Sequence, residues 1–151
     1  MKPELELRGF YVSIARQPFE RRKVPPGEKL SALVVEDDED LGMLVTRVLG
    51  PAGFSVKVAA DRAQVLAALG EKKKPDVVVA DVKLPDLNGF DLLARMKAHP
   101  TLKGIPVVML TGDAKRESIV RGLLSGADGY ITKPFEKEIL ARGVKAVLGV
   151  A

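Results

Sequence analysis

Acidic, hydroxyl and basic side chains stand at the ends of four apolar runs of the chain. These ends carry Glu36 with Asp37, Asp81, Thr111 and Lys133. Apolar runs that do not alternate with polar residues are typical of strands buried on both faces, as in the middle of a parallel sheet. Because ligands bind in open α/β folds outside the carboxyl ends of the strands, we expect these side chains to meet in one pocket.

The types of these side chains favour magnesium-assisted phosphoryl transfer. Two carboxylates ~5 Å apart repel each other by about 3 kcal/mol at an effective dielectric constant of ~20, so three of them need compensation. Lys133 offsets one charge, and Mg²⁺, which suits an open site with few carboxylates, would offset two more. Asp81 would then attack a phosphorus atom whose oxygens the lysine and the metal neutralise. Each residue alone also has an ordinary explanation as a turn, cap or surface residue, but their recurrence at four strand ends favours a site.

The elements that would position these side chains follow a regular alternation of strand and helix patterns. From Leu30 onward five β–α units are predicted, with strands over 32–35, 54–58, 77–80, 105–110 and 129–132. Asp61 and Gln64 resemble a capping box at the start of the second helix of these units. The fourth helix is predicted to turn four apolar residues inward: Ile119, Val120, Leu123 and Leu124. The fold class is therefore α/β.

Residues 1–29 differ from the rest of the chain and are predicted to be an N-terminal extension and linker, with one domain over 30–151. The stretch 9–14 has the composition of a short strand, and residues 24–27 read Val-Pro-Pro-Gly, a stiff linker. Three interpretations remain open for the extension. It is a tail without fixed structure, a segment that docks through its aromatic residues, or a nucleic-acid contact through the basic run 21–23.

Composition excludes several classes of protein. The chain has no cysteine, which excludes disulfides and thiol catalysis. No apolar run approaches the ~18 residues of a membrane span, and the N-terminus lacks the continuous apolar core of a signal peptide. We therefore expect a cytoplasmic protein without a membrane partner. Residues 1–29 hold seven Lys and Arg against four Asp and Glu, which accounts for +3 of the net charge of +4. Since the remainder is almost neutral, we expect no nucleic-acid partner.

Four segments together resemble the response-regulator receiver domains of two-component signalling, the CheY-like superfamily. They are Leu33–Asp38, Asp81–Pro85 with Gly89, Met109–Gly112 and Tyr130–Phe135. The resemblance extends from about Leu30 to Leu148 and leaves residues 1–29 outside. It implies a flavodoxin-like, doubly wound (βα)5 fold with a five-stranded parallel sheet in the order 2-1-3-4-5.

The resemblance also implies a role for each site residue. Asp81 would be the phosphoacceptor, and Lys133 would pair with the phosphoryl group. Mg²⁺ would be bound by Asp37 and Asp81, with help from Glu36, and by the backbone carbonyl of Lys83. The peptide bond that follows Lys133 would be cis.

A phosphohistidine on a kinase or a phosphotransfer protein would donate the group, as the resemblance implies. Thr111 would turn toward the new phosphoryl group, and Tyr130 would follow inward, although Tyr130 as an ordinary core residue remains an alternative. The face formed by the last helices and strand would change, and a downstream protein or a second copy of the chain would bind there. Lys83, Gly112 and Asp113 are predicted to flank the entrance. We expect Gly112 to keep it open, and an ion pair between Lys83 and Asp113 to hinder attacking water.

The leading functional hypothesis is a cytoplasmic phosphoprotein, part of a phosphorelay, that performs no reaction beyond its own phosphorylation from a phosphodonor and slow dephosphorylation. No output domain is expected after Leu148, so the signal would pass to a partner protein. A receiver-like interaction module that is not phosphorylated is the alternative. A Mg²⁺-dependent phosphatase with an aspartyl intermediate is a third hypothesis, disfavoured by the position of Asp81.

Overall fold

The computed structural model describes residues 11–13, 27–112 and 116–150. Within these ranges the strands are β1 (Tyr11–Ser13), β2 (Leu30–Val35), β3 (Phe54–Ala59), β4 (Val77–Asp81), β5 (Val107–Thr111) and β6 (Gly129–Thr132). The helices are α1 (Glu39–Leu49), α2 (Arg62–Gly70), α3 (Gly89–Ala98), α4 (Arg116–Leu124) and α5 (Lys137–Leu148). None of the helices in the described part of the chain combines the length and the apolar character needed to cross a bilayer.

The strands form one sheet in the order β1-β6-β5-β4-β2-β3. All pairings among β2 to β6 are parallel. Numbered from the first parallel strand, these five strands have the order 2-1-3-4-5, which confirms the predicted flavodoxin-like fold. β1 is an addition that the resemblance does not imply, since it lies antiparallel along the outer side of β6. It falls inside the predicted strand 9–14, but its pairing partner was not predicted.

Unbroken apolar runs form the parallel strands because both faces of the sheet are covered. Along β4, Val78 packs into the core that holds α2, α3 and α4, whereas Val79 packs into the core that holds α1 and α5. Side chains that alternate across a strand are thus buried on either side. Both valines have no solvent exposure. The strand that ends on Asp81 is therefore held rigidly between two layers of helices.

The inward face of α4 differs from the prediction. Ile119 is 3% exposed, but Val120 and Leu124 are 44% and 79% exposed, and the side chain of Leu123 is outside the described residues. Gly122 lies on the buried face, against the ring of Tyr130. The prediction that Val120 and Leu124 face inward is wrong, because the buried face of α4 carries Ile119 and Gly122 instead.

Short polar side chains begin the helices directly after the carboxyl ends of the strands. Asp38 accepts a hydrogen bond from the N–H of Leu41, and Asp61 accepts one from Gln64 at 2.9 Å. The Gln64 side chain accepts from the N–H of Ala60, one residue before the cap, at 2.7 Å, so the predicted capping box is present in a shifted form. Caps of this kind stabilise a helix by about 1 kcal/mol each.

Candidate functional site

Asp81 is the last residue of β4, and the candidate site lies where the parallel strands have their carboxyl ends. Asp81 is 8% exposed, and the chain turns back directly beyond it. The N–H of Gly89 donates to the carbonyl of Val82 at 2.7 Å, which draws the start of α3 against the end of β4. A Cβ at Gly89 would lie 2.5 Å from the carbonyl oxygen of Asp81 and 2.8 Å from Cα of Val82, so only glycine permits this approach.

Three carboxylates meet at this end of the sheet. Glu36 and Asp37 directly follow β2, which is the neighbour of β4 in the sheet. One carboxylate oxygen from each of Glu36, Asp37 and Asp81 lies within 4.8 Å of the other two. Glu36 is 2% exposed, whereas Asp37 is exposed. The acidic residues that the sequence placed at two separate strand ends are therefore in one cluster.

Lys133 brings a positive charge to this cluster from the far side of β5. Its Nζ donates to Oδ2 of Asp81 at 2.7 Å and to Oε1 of Glu36 at 3.3 Å. Its backbone N–H donates to the carbonyl of Thr111 at 2.7 Å, which fixes the start of the loop after β6. The peptide bond between Lys133 and Pro134 is cis, as the resemblance implies.

The electrostatics of the cluster favour the binding of a further positive charge. Burial, together with the neighbouring Asp81 carboxylate, raises the pKa of Glu36 to about 7, against the N–H of Asp38 and the ammonium of Lys133, which lower it. Burial would lower the pKa of Lys133, but the hydrogen bonds and charges of Asp81 and Glu36 outweigh it and raise that pKa. The lysine is therefore charged, and one ammonium does not neutralise the cluster, in which Asp37 and Asp81 are joined by Glu36 whenever Glu36 is ionised.

Thr111 and Tyr130 lie on β5 and β6, the next two strands of the sheet on the side of β4 away from β2. Thr111 is the last residue of β5 and is 4% exposed, and Tyr130 in β6 is 1% exposed. A Cβ at Gly122 of α4 would lie 2.7 Å from Cε2 of Tyr130, so the inward position of the ring requires a glycine there. Sequence reasoning missed Gly122, since a glycine within a helix pattern carries no sign of the ring it accommodates.

The entrance of the site is partly described. The N–H of Lys83 donates to Oδ1 of Asp81 at 3.0 Å, which holds the Asp81 carboxylate against the loop after β4. Gly112 is exposed, and a Cβ there would have no atom within 4 Å. Asp113 is outside the described residues, and so is its expected ion pair with Lys83.

A cleft adjoins the carboxylates, and sequence reasoning did not find it. It has a volume of about 470 Å³ and runs from Glu36 and Asp37 along α1 toward β3. Met43 and Val58, which line it, are 46% and 40% exposed. The site thus opens onto a partly apolar surface rather than into a closed cavity.

Comparison with known proteins decides the family. The family model described as the response regulator receiver domain matches residues 32–145. The chain belongs to this family. The "DNA-binding response regulator MtrA" of Mycobacterium tuberculosis is 44% identical to it over 111 residues, which are 73% of this chain and 47% of that protein. The "Probable transcriptional regulatory protein TcrX" of the same organism is 36% identical over 122 residues, 81% of this chain and 51% of that protein.

A solved structure agrees with this assignment. The crystal structure of a putative response regulator from Chloroflexus aurantiacus J-10-fl matches this receiver domain with a TM-score of 0.75 and 34% identity. The match covers 80% of this chain and 98% of that one. The resemblance to receiver domains is thereby confirmed. The family is one of signalling proteins in two-component systems.

The expectation that nucleic acid is not a partner is wrong. The relatives are named DNA-binding or transcriptional regulators, and the chain spans about half the length of the curated relatives it matches. The expectation rested on the charge of the region after residue 29. That charge describes the matched half only and says nothing about the other half of such proteins.

Proposed function

We propose that this receiver domain is a phosphorylation-dependent signalling switch that accepts a phosphoryl group on Asp81 from a phosphohistidine of a kinase or phosphotransfer protein. The observation that supports the proposal most is the position of the Asp81 carboxylate. It lies 2.7 Å from the Lys133 ammonium and within 4.8 Å of two other carboxylates, at the carboxyl ends of the parallel strands. An aspartate that served only as a turn or cap residue would not need an ammonium and two further carboxylates beside it.

The donor set fits Mg²⁺. Carboxylate oxygens within 4.8 Å of one another are hard ligands that can share one small cation, and the net negative charge of the cluster favours it. Asp37 and Asp81 would hold the ion together with the backbone carbonyl of Lys83, and Glu36 would assist. When bound, Mg²⁺ neutralises oxygens of the transferring phosphoryl group.

Three side chains of the domain would each have a separate role in the phosphoryl transfer. A carboxylate oxygen of Asp81 attacks the phosphorus atom in line with the imidazole nitrogen, so that the nitrogen–phosphorus bond breaks as the acyl phosphate forms. Lys133, already aimed at this carboxylate, pairs with the phosphoryl oxygens. The hydroxyl of Thr111 donates to another of these oxygens.

Phosphorylation would supply enough free energy to change the conformation. The phosphoryl group carries a charge of about −2, in place of the single negative charge of the free carboxylate. Two hydrogen bonds to a charged group, from Thr111 and Lys133, contribute about 3 to 6 kcal/mol together. Reversal of a 1:99 population requires about 5.5 kcal/mol. The contacts at the site can therefore bias the surface of α4, β6 and α5, where Tyr130 packs against Gly122.

The whole protein would act by binding DNA. This proposal rests on the names of the relatives, of which the receiver segment is about half. Phosphorylation would act on the DNA-binding part through the surface of α4, β6 and α5. The domain boundary between residues 29 and 30, the cytoplasmic location and the entrance roles of Lys83, Gly112 and Asp113 stay predictions.

Intact-mass measurement tests the proposal. The chain is incubated with acetyl phosphate, with and without Mg²⁺, and we expect one added phosphoryl group in the presence of the metal. Asp81→Asn should abolish the addition. Asp86→Asn, which changes an exposed aspartate of the neighbouring loop, is the matched control and should be phosphorylated normally. No mass increase in the wild type would favour an interaction module, and turnover of phosphate esters would favour a phosphatase.

A further inference from the structure

The outer side of β6 can be identified from the hydrogen bonds of its neighbour β5. Val82, which follows β4, donates to the carbonyl of Leu110, so this carbonyl of β5 points toward β4. The backbone N–H and C=O groups of successive residues in a strand point to opposite sides, so those of Thr111 point toward β6. In agreement, its carbonyl accepts from the N–H of Lys133 at 2.7 Å.

The same alternation places the backbone groups of Tyr130 on the outer side. Lys133 and Ile131 direct their N–H groups toward β5, and Tyr130, one residue before Ile131, directs its N–H and C=O away from it. β1 lies on that outer side with Val12 directly opposite Tyr130. The two residues are therefore placed to exchange both backbone hydrogen bonds, and the pairs on either side of them are of the non-bonded type.

The surface around this edge is suited to association with another chain. Val120 and Leu124 of α4, the helix that packs on β6, are 44% and 79% exposed. An edge strand presents unpaired N–H and C=O groups that pair readily with a strand of another molecule. Apolar side chains beside such an edge add to the tendency.

We propose that Tyr11–Ser13 is an intramolecular cover for the outer edge of β6, and that it prevents a second copy of the chain from adding a strand there. The cover acts through its backbone, at the strand that leads into Lys133 of the site. The proposal is independent of phosphorylation. It gives the N-terminal segment a function within the domain.

The chain is long enough for the cover to come from the same molecule. Ser13 lies opposite Gly129, the first residue of β6, and the parallel strand β2 begins at the same end of the sheet with Leu30. Four strand spacings of ~4.8 Å separate β1 from β2, about 19 Å in all. The sequence has residues 14–29 for this crossing, and sixteen residues reach up to about 53 Å.

Two proline variants of the full chain test the proposal. Val12→Pro removes the N–H that is placed to donate to Tyr130, whereas Ser13→Pro removes an N–H that points away from β6. Both variants carry the same proline restriction in the same strand, so the second is the matched control. Amide hydrogen exchange of Tyr130, read residue by residue, reports the cover, and sedimentation velocity over a range of concentrations reports association. The amide of Val79 in the core serves as the fold control.

We expect a monomeric wild type with a protected Tyr130 amide. Val12→Pro should speed exchange at Tyr130 by about tenfold or more and make the chain associate as its concentration rises, with Val79 unchanged. Ser13→Pro should behave as the wild type. Unchanged exchange at Tyr130 in Val12→Pro would refute the pairing. Faster exchange without association would refute the blocking role. A wild-type dimer that Val12→Pro dissociates would show that the strand is exchanged between copies and overturn the intramolecular cover.

Discussion

The burial of Glu36 makes the free energy of unfolding depend on pH in an unusual direction. Most carboxylates in folded proteins have their pKa lowered, and they stabilise the fold at neutral pH. Burial and the Asp81 carboxylate instead raise the pKa of Glu36 to about 7 from an ordinary value of 4.5. The folded state therefore holds a proton that the unfolded chain releases. Stability from this group is fully present below pH 4.5 and is lost as the pH rises through about 7.

The size of the effect follows from the two pKa values. The difference between about 7 and 4.5 is about 2.5 pH units. At 1.36 kcal/mol per unit this corresponds to about 3 kcal/mol, of which about 2 to 3 kcal/mol is lost between pH ~5 and pH ~8. Glu36→Gln keeps the shape of the side chain and cannot ionise. Between pH ~5 and pH ~8 the free energy of unfolding of Glu36→Gln should therefore fall by about 2 to 3 kcal/mol less than that of the wild type.

Urea unfolding in the presence of a chelator measures the effect near pH 5 and near pH 8 for the wild type and Glu36→Gln. Glu71→Gln is the control, because Glu71 is an exposed carboxylate whose pKa is lowered by Lys57. We expect the free energy of unfolding of Glu71→Gln to decline toward pH 8 as steeply as that of the wild type. Mg²⁺ should reduce the decline of the wild type, since the ion binds the ionised carboxylates. If Glu36→Gln and the wild type declined in parallel, the raised pKa of Glu36 would be refuted.

Three further substitutions, one of them paired with a control substitution, test the site and the packing that supports it. Lys133→Met should slow phosphorylation by acetyl phosphate more than about tenfold in intact-mass time courses, because no ammonium then meets the phosphoryl oxygens; an unchanged rate would contradict this role. Gly89→Ala should lower the free energy of unfolding by about 2 kcal/mol or more, since the new Cβ would lie 2.5 Å from the last carbonyl oxygen of β4. Gly70→Ala, with no atom within 4 Å of the new Cβ, should not destabilise the domain. Gly122→Ala should force the ring of Tyr130 outward, seen as NMR ring shifts that approach those of an exposed tyrosine.

The convergence of the site residues could be predicted because it depends on strand topology rather than on details of packing. An apolar run that ends on a polar residue fixes both the strand and the end at which that residue lies. Parallel strands then bring such ends together, which is how Asp81 and Lys133 come within 2.7 Å although they are far apart in sequence. The order of the strands was implied only by the resemblance to receiver domains, which the four segments carry together.

Other features depend on contacts that a sequence pattern does not show. The partner of the strand Tyr11–Ser13 is set by the open edge of β6, and nothing in the extension itself names that edge. The buried face of α4 includes Gly122, which lies against the ring of Tyr130 from a different element, so the apolar residues of α4 alone did not identify that face. Charge could not exclude a nucleic-acid partner, because the charge of a receiver domain does not describe the rest of a regulator that contains one.

The most direct test of the account is to locate the phosphoryl group after incubation with acetyl phosphate and Mg²⁺. Borohydride reduces an acyl phosphate, so that the phosphorylated aspartate becomes homoserine while free carboxylates do not react, and peptide mass spectrometry then identifies the residue. We predict homoserine at position 81 and nowhere else, and none in Asp81→Asn. Homoserine at position 37 or 38, or no conversion in a chain that binds Mg²⁺ and remains folded, would contradict the claim that Asp81 is the phosphoacceptor.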